Sequence, residues 1–168
     1  MWAILSVEIP LNRNEKMTET KPTYQREGSV SNAHVGREFE QRVFNCFKKE
    51  IPDLRLNFPM EIGHSQKKLH SFDMGSESKK VMIECKSHTW TKSNNVPSAK
   101  LTTWDQAMLY FHLSPTAYRK MFIVLKDDNK QTHESLLSYY LRLHAHLIPD
   151  GVELWEMDES KLVKVKEC

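Results

Sequence analysis

A continuous apolar run late in the chain places the strongest limit on the fold. Residues 121–125 read MFIVL, with polar residues on both sides. A strand with one face in water alternates apolar and polar residues, whereas an unbroken apolar run predicts a strand covered on both faces. We therefore expect a central strand in a sheet that has helices on both sides.

Three segments have the spacing of amphipathic helices. In residues 35–50 apolar side chains recur every three or four positions, and Pro52 stops the pattern. Residues 98–113 and 134–147 have the same spacing, and the second of these segments ends before Pro149. Each pattern predicts one helix with an apolar side for the sheet.

Strand patterns lie between these helices. Residues 54–62, about 67–73 and 80–86 predict three consecutive strands, the last two joined by the turn-rich sequence MGSES. Residues 152–157 predict a strand after the last helix, and residues 162–165 leave a further strand open. The order α-βββ-α-β-α-β, without an internal repeat, predicts a single α/β domain with a central mixed β-sheet flanked by helices.

The first 34 residues differ from the rest of the chain. The opening MWAILSVEIPLNR is briefly apolar, but no basic residue precedes it and no small-residue cleavage site follows, so we expect no signal peptide. Met17 opens a polar stretch, and whether Met1 or Met17 is the biological start stays open. We expect residues 1–34 to be a partly flexible N-terminal arm and residues 35–168 to be the folded domain.

Composition limits the class of protein. The 168 residues suffice for one domain, and no apolar run approaches the roughly 20 residues of a membrane span. Three widely spaced cysteines argue against both a disulfide framework and a zinc ribbon. We expect a cytoplasmic protein without a membrane partner.

The net charge of +2 conceals an uneven distribution. Residues 64–100 contain seven lysines and three acids, whereas residues 127–168 contain nine acids and five bases. A polyanion would meet the basic middle of the chain. Lysines that merely keep strand edges soluble would give the same count, so charge alone does not decide between these interpretations.

Ionisable residues concentrate on the third predicted strand and the end of the second. Strand alternation puts Glu84 and Lys86 on one face, where the helices should cover them, and Asp73 ends the preceding strand. A buried charge is costly unless it is paired or binds a metal. The two carboxylates, with the backbone carbonyl of Cys85 nearby, form the oxygen ligands that Mg²⁺ or Mn²⁺ prefers.

Such a set of residues suits the hydrolysis of a phosphodiester. A divalent ion held by Asp73 and Glu84 polarises the phosphoryl oxygen and lowers the pKa of bound water. Lys86 orients the attacking water or stabilises the developing negative charge. The structural alternative is a salt-bridged pair of Glu84 and Lys86 on an exposed edge strand, because an acid two residues before a lysine is a weak pattern.

Two helices carry further candidates. Glu40 falls on the apolar side of the first helix, where a nearby metal site would supply the partner that its carboxylate needs; alternatively, it reaches water from the helix border. Gln106 and Tyr110 are four residues apart and share one face of the second helix, from which they can reach a substrate. That pair is also common in ordinary helices.

Four short segments, in this order, resemble the successive motifs of the PD-(D/E)xK nuclease superfamily, which has the restriction-endonuclease-like fold. They are GREFE at 36–40, FD at 72–73, IECK at 83–86 and QAMLY at 106–110. The resemblance spans residues 35–125, and QAMLY is similar to a motif of the RecB-like exonuclease branch. Phe72 stands where the family name has Pro.

The resemblance implies a restriction-endonuclease-like core and specific residue roles. It implies that Asp73 and Glu84 bind the metal, that Lys86 is catalytic and that Glu40 is a supporting acid. Residues 35–168 would then form a nuclease-like domain.

Residues beyond the third strand are candidates for substrate binding. His88 follows two residues after the lysine of that strand, on the same face, and could contact a phosphate; Lys92 adds positive charge. Trp90, in the polar stretch SHTWTKSNN, could stack on a base. His64, His70 and His88 are also typical of polar strand ends.

The expected function is a Mg²⁺-dependent deoxyribonuclease that hydrolyses phosphodiester bonds of DNA. One alternative is a catalytically silent nuclease-like module that binds DNA or serves in an assembly, and another is a small interaction protein. A homodimer is possible by analogy with small nucleases that cut both strands. Exo or endo cleavage, DNA or RNA, and specificity for a sequence, structure or end stay open.

Overall fold

The structure, a computed structural model, describes residues 6–8, 32–159 and 161–168. Six strands form a mixed sheet with three α-helices packed on it, and a three-residue strand pairs at one edge of that sheet. The elements are β1 (Ser6–Glu8), α1 (Asn32–Phe47), β2 (Arg55–Ile62), β3 (Lys68–Ser76), β4 (Val81–Lys86), α2 (Ser98–Leu113), β5 (Arg119–Leu125), α3 (Leu136–His144), β6 (Val152–Met157) and β7 (Lys161–Glu167).

The three middle strands of the sheet are parallel. The strand order is β1-β7-β6-β5-β4-β3-β2; β5 pairs in parallel with β4 and β6, and all other neighbours are antiparallel. Residues 120–124 of β5 are buried. The prediction of a central strand covered on both faces is confirmed, because its alternate residues pack into cores on opposite sides of the sheet.

Strand alternation supplies these two cores. Ile83 of β4 packs with Val43 of α1 in one core. Its neighbour Met82 packs with Trp104 of α2 in the other, which α3 also covers. Glu84 alternates with Ile83 and therefore lies on the opposite face, which α2 covers; the sequence predicted the alternation but not which helix covers that face.

The predicted order of elements is confirmed from α1 to β6, and β7 is the further strand that residues 162–165 left open. Two predicted boundaries are wrong. β3 continues through Gly75 and Ser76, which pair with β4, so only the last two residues of MGSES belong to the turn, which lies at residues 77–80. The first helix spans Asn32–Phe47 and not residues 35–50, so it begins inside the expected arm.

The rest of that arm is only sparsely described. Residues 1–5 and 9–31, and with them the expected flexibility, lie outside the described residues. In the described part, no helix is long and apolar enough to cross a membrane. Cys46, Cys85 and Cys168 are free thiols.

Gly75 allows Phe58 of β2 to pack directly against β3. A Cβ atom at Gly75 would lie 2.4 Å from Cδ1 of Phe58 and 2.8 Å from the carbonyl oxygen of Val81. At Gly36 in α1, by contrast, nothing lies within 4 Å of an added Cβ. Replacement by alanine can therefore be compared at a crowded position, Gly75, and at an open position, Gly36.

We expect Gly75→Ala to lower the free energy of unfolding by roughly 1–3 kcal/mol, because Phe58 must move to admit the methyl group. Gly36→Ala should raise it by up to about 1 kcal/mol, because alanine is the better helix former. Urea denaturation measures both changes. Unchanged stability of Gly75→Ala would contradict the close packing of Phe58 on β3.

Candidate functional site

The candidate site begins where β3 and β4 separate. The last pair of residues that they form is Met74 with Ile83, and Asp73 directly precedes Met74 in β3. Oδ2 of Asp73 accepts a hydrogen bond of 2.7 Å from the backbone N–H of Cys85. The Asp73 side chain thus pairs with the Cys85 amide, which lies beyond the last backbone pair of β3 and β4, and this bond holds the carboxylate beside β4.

Glu84 is the buried carboxylate that strand alternation predicted. It is 4% exposed. Nζ of Lys86 donates to its Oε2 at 2.9 Å, and Nε2 of His70 lies 3.3 Å from its Oε1. Because β4 is an interior strand and Glu84 is buried, the alternative of a salt bridge on an exposed edge strand is wrong.

Glu84 and Lys86 stabilise each other's charge. Burial alone would raise the pKa of Glu84, but the hydrogen bond with His70 and the charge of Lys86 lower it overall. Burial would lower the pKa of Lys86, but the carboxylates of Glu84 and Asp73 raise it. The Lys86 ammonium therefore donates hydrogen bonds and stabilises negative charge at neutral pH; it does not accept a proton from water.

Two further carboxyl groups experience the same charges. Burial, and then the charge of Glu84, raise the pKa of Asp73 to about 7. Burial also raises the pKa of Glu40, against the opposing charge of Lys86. Glu40 therefore acts on the site from α1, and the charge of Lys86 compensates only part of the negative charge of three carboxyl groups.

A cavity of about 230 Å³ brings the predicted residues together. Asp73, Glu84 and Lys86 line it from the sheet, and Gln106 and Tyr110 line it from α2. The spacing of four residues placed the last two on one face of α2, and that face is the one that meets the cavity.

His70 is a residue of the site that sequence reasoning assigned only to a polar strand end. It lines the cavity, contacts Glu84, and its ring lies 4.0 Å from the ring of Tyr110, centroid to centroid. One signal could have found it: His70 is two residues before Phe72 in β3, so alternation predicts that the two share a face. The centroids of the His70 and Phe72 rings are 4.8 Å apart.

The other predicted substrate contacts lie apart from this cavity. His88, Trp90 and Lys92 line a second cavity of about 610 Å³. Lys86 also lines the second cavity, so the two are neighbours. The structure therefore separates the candidate residues into two groups that meet at Lys86.

Two expectations for this segment are wrong in detail. β4 ends at Lys86, so His88 is not on the strand; its Nδ1 accepts a hydrogen bond of 2.9 Å from Nε1 of Trp104. Burial, and then the charges of nearby lysines, lower the pKa of His88 to about 4, so the ring is neutral. Trp90 is 8% exposed and contacts Tyr139 edge to face, so most of its ring belongs to the core.

The donor atoms around Asp73 fit a hard divalent cation. Among the described residues, no group of three or more His, Cys, Asp and Glu side chains is placed to hold a metal ion. Mg²⁺ does not need such a cage, because it is usually bound by one or two carboxylates, with water and substrate phosphate as the remaining ligands. Asp73, Glu84 and the carbonyl of Cys85 are the residues that would hold it.

Comparisons with known protein families, with curated proteins and with solved structures gave no match. The four segments that resemble nuclease motifs nevertheless converge in space. One or more residues of segments 72–73, 83–86 and 106–110 line the same cavity, and Glu40 of segment 36–40 interacts electrostatically with Lys86 and Glu84.

We expect Asp73→Asn to stabilise the protein at alkaline pH. The pKa of Asp73 is raised in the folded state, so the cost of ionising it on folding is absent below about pH 4 and complete above about pH 7. Asparagine removes this cost and can still accept the Cys85 amide. In chelator, urea denaturation should give a gain of roughly 1–3 kcal/mol near pH 8.5 that disappears near pH 4.

Asp53→Asn is the matched control for this prediction. Hydrogen bonds from Ser76 and Ser78 lower the pKa of Asp53, so its contribution to stability is present at neutral pH and is lost as the pH falls. The control should therefore destabilise near neutral pH and have no effect in acid. If Asp73→Asn behaved in the same way as the control, Asp73 would not be an ionised group held at an electrostatic cost.

Proposed function

We propose that this protein is a metal-dependent nuclease that hydrolyses phosphodiester bonds of DNA. The observation that carries the proposal is that Asp73, Glu84 and Lys86 line one small cavity. There the two carboxylates repel each other, and both attract the ammonium group of Lys86. Strained electrostatics of this kind are characteristic of functional sites.

Each side chain has a role that its surroundings support. Bound Mg²⁺ or Mn²⁺ would polarise the phosphoryl oxygen and lower the pKa of a water molecule. Asp73 and Glu84 supply the carboxylate oxygens for that ion. Lys86, protonated and fixed by Glu84, stabilises the negative charge that develops on the phosphate. Glu40 supports the site from α1, where the charge of Lys86 favours its ionised form against the effect of burial.

The α2 residues complete the substrate side of the cavity. Gln106 offers an amide and Tyr110 a phenol to the phosphate or the sugar. Tyr110 packs against His70, and this contact limits the positions that its ring can adopt. We propose that the two residues orient the scissile bond relative to Lys86.

The cell compartment and the oligomeric state belong to the same proposal. The three free thiols fit a reducing cytoplasm. A homodimer would place two such sites on the two strands of a duplex.

A catalytically silent DNA-binding or assembly module is the second candidate. It is favoured by one observation, since both oxygens of Glu84 already have partners in His70 and Lys86. A carboxylate satisfied in this way is stable without a metal. Calorimetric titration of Mg²⁺ or Mn²⁺ separates the two candidates: binding that Asp73→Asn removes supports the nuclease, and absence of binding supports the silent module.

We expect the protein to cleave DNA in Mg²⁺ or Mn²⁺, and we expect Lys86→Ala and Asp73→Asn each to slow cleavage by about 10²-fold or more. The assay should offer supercoiled plasmid, linear duplex, single-stranded DNA and RNA. Since Asp73→Asn should be no less stable than the parent, its inactivity could not be attributed to unfolding. Lys166→Ala, an exposed lysine of β7, is the control that should retain full activity.

Two results would contradict the proposal. One is the absence of cleavage with every substrate and both metals, and the other is cleavage that persists unchanged in both site variants. In the second case the activity would come from a contaminating nuclease or from another site.

A further inference from the structure

The second cavity, with a volume of about 610 Å³, is the larger concave feature next to the candidate active site. It lies where β4 ends and α2 begins, and Gly36 of α1 forms part of its wall. Lys86 lines both cavities, so a chain molecule bound at the carboxylates can extend directly into this space. We call it the Lys92–Lys100 cleft, after the two exposed lysines that line it.

The chemistry of this cleft is opposite to that of the neighbouring site. Three lysines contribute to its lining, and none of the described residues that line it is acidic. Hydroxyl groups of serine and threonine lie between the lysines, and they are neutral donors for phosphate oxygens. The polar residues of the lining include Lys86, Ser87, Thr89, Lys92, Ser98 and Lys100.

The positive charge of the cleft comes mainly from two of its three lysines, because Lys86 is already paired with Glu84. The charges of Lys100 and Lys86 both act on His88, which is itself in the lining. Lys92 and Lys100 are exposed, and no ion pair is found for either among the described residues. An anion would therefore meet solvent-exposed ammonium groups at little cost.

We propose that the Lys92–Lys100 cleft binds the phosphate backbone of a single nucleic-acid strand next to the scissile phosphodiester. This inference rests on the proposed function, since it takes the carboxylate site as the place of cleavage. Glu84 is 4% exposed, so the scissile phosphate must enter the cavity to reach a metal ion held there. A flexible single strand makes such a bend more easily than a duplex, whose persistence length is about 150 base pairs.

Binding is tested without cleavage, in the Asp73→Asn background with chelator. The probe is a fluorescein-labelled oligothymidylate of about 12 nucleotides, within the usual site size of single-strand binders. Fluorescence anisotropy gives the dissociation constant over about 50 to 300 mM KCl. A duplex of the same length is the second probe.

We expect the added double substitution Lys92→Ala and Lys100→Ala to weaken binding at low salt by about 10-fold or more. The slope of log K against log salt should fall by about 1.4, since each phosphate contact on a single strand contributes about 0.7. The matched control is Lys161→Ala with Lys166→Ala on β7, which changes the net charge equally on a strand three positions from β4 in the sheet. The control should leave the slope unchanged.

Gly36→Leu tests the cleft by its shape instead of its charge. A side chain at this position meets no neighbour near its Cβ and would stand at the wall of the cleft. Leucine is also a better helix former than glycine, so the variant should fold. We expect it to weaken binding of the oligonucleotide several-fold without lowering the midpoint of thermal unfolding.

The outcomes separate this inference from the proposed nuclease. Equal salt slopes for the cleft and control variants, or no binding of the single strand, would overturn the cleft. Tighter binding of the duplex would overturn its assignment to a single strand. If cleavage depends on Lys86 but the cleft variants keep their KM, the proposed role of the cleft is overturned and the nuclease activity is not. If binding depends on the cleft lysines but no cleavage occurs, the proposed nuclease activity is overturned and the role of the cleft is not.

Discussion

The hydrogen bond from the Cys85 amide to the Asp73 carboxylate is the contact on which the candidate site depends. The pairing of β3 with β4 includes Met74 but not Asp73, the residue before it, so this bond is what holds the side chain of Asp73 against β4. Glu84 and Lys86 flank Cys85, and their positions are set by the parallel pairing of β4 with β5. A carboxylate from β3 and two charged groups from the interior strand β4 are thereby brought to the same cavity.

The modest net charge of +2 conceals two neighbouring cavities of different charge, which meet at Lys86. Carboxyl groups dominate one cavity, and lysines line the other without an acidic neighbour among the described lining residues. A nucleic-acid substrate needs both, because its backbone is attracted by lysines and a divalent cation is attracted by carboxylates. Lys86 is the residue through which the two proposed functions of binding and hydrolysis meet.

Glu84 shows how a buried charge is retained in such a site. Burial of an ion pair is weak evidence for stability, because desolvation costs as much as the attraction returns. The nearly complete burial of Glu84, with His70 and Lys86 as its partners, is therefore better explained by a need for defined geometry than by a need for stability. The raised pKa of Asp73 agrees, since a protein selected only for stability would not keep an acid there.

Local periodicity determined which side chains share a face, and it did so correctly for Glu84 with Lys86 and for Gln106 with Tyr110. The polar neighbours of Trp90 made it a candidate for stacking on a base, and His70 was assigned to a strand end, because a local pattern does not show what packs against a loop or a strand. The sequence by itself determined the α/β class and the catalytic candidates. Only the tertiary structure decided where strand pairing ends, which groups become buried together, and that the lysines form a cleft of their own, since these depend on contacts between residues far apart in the chain.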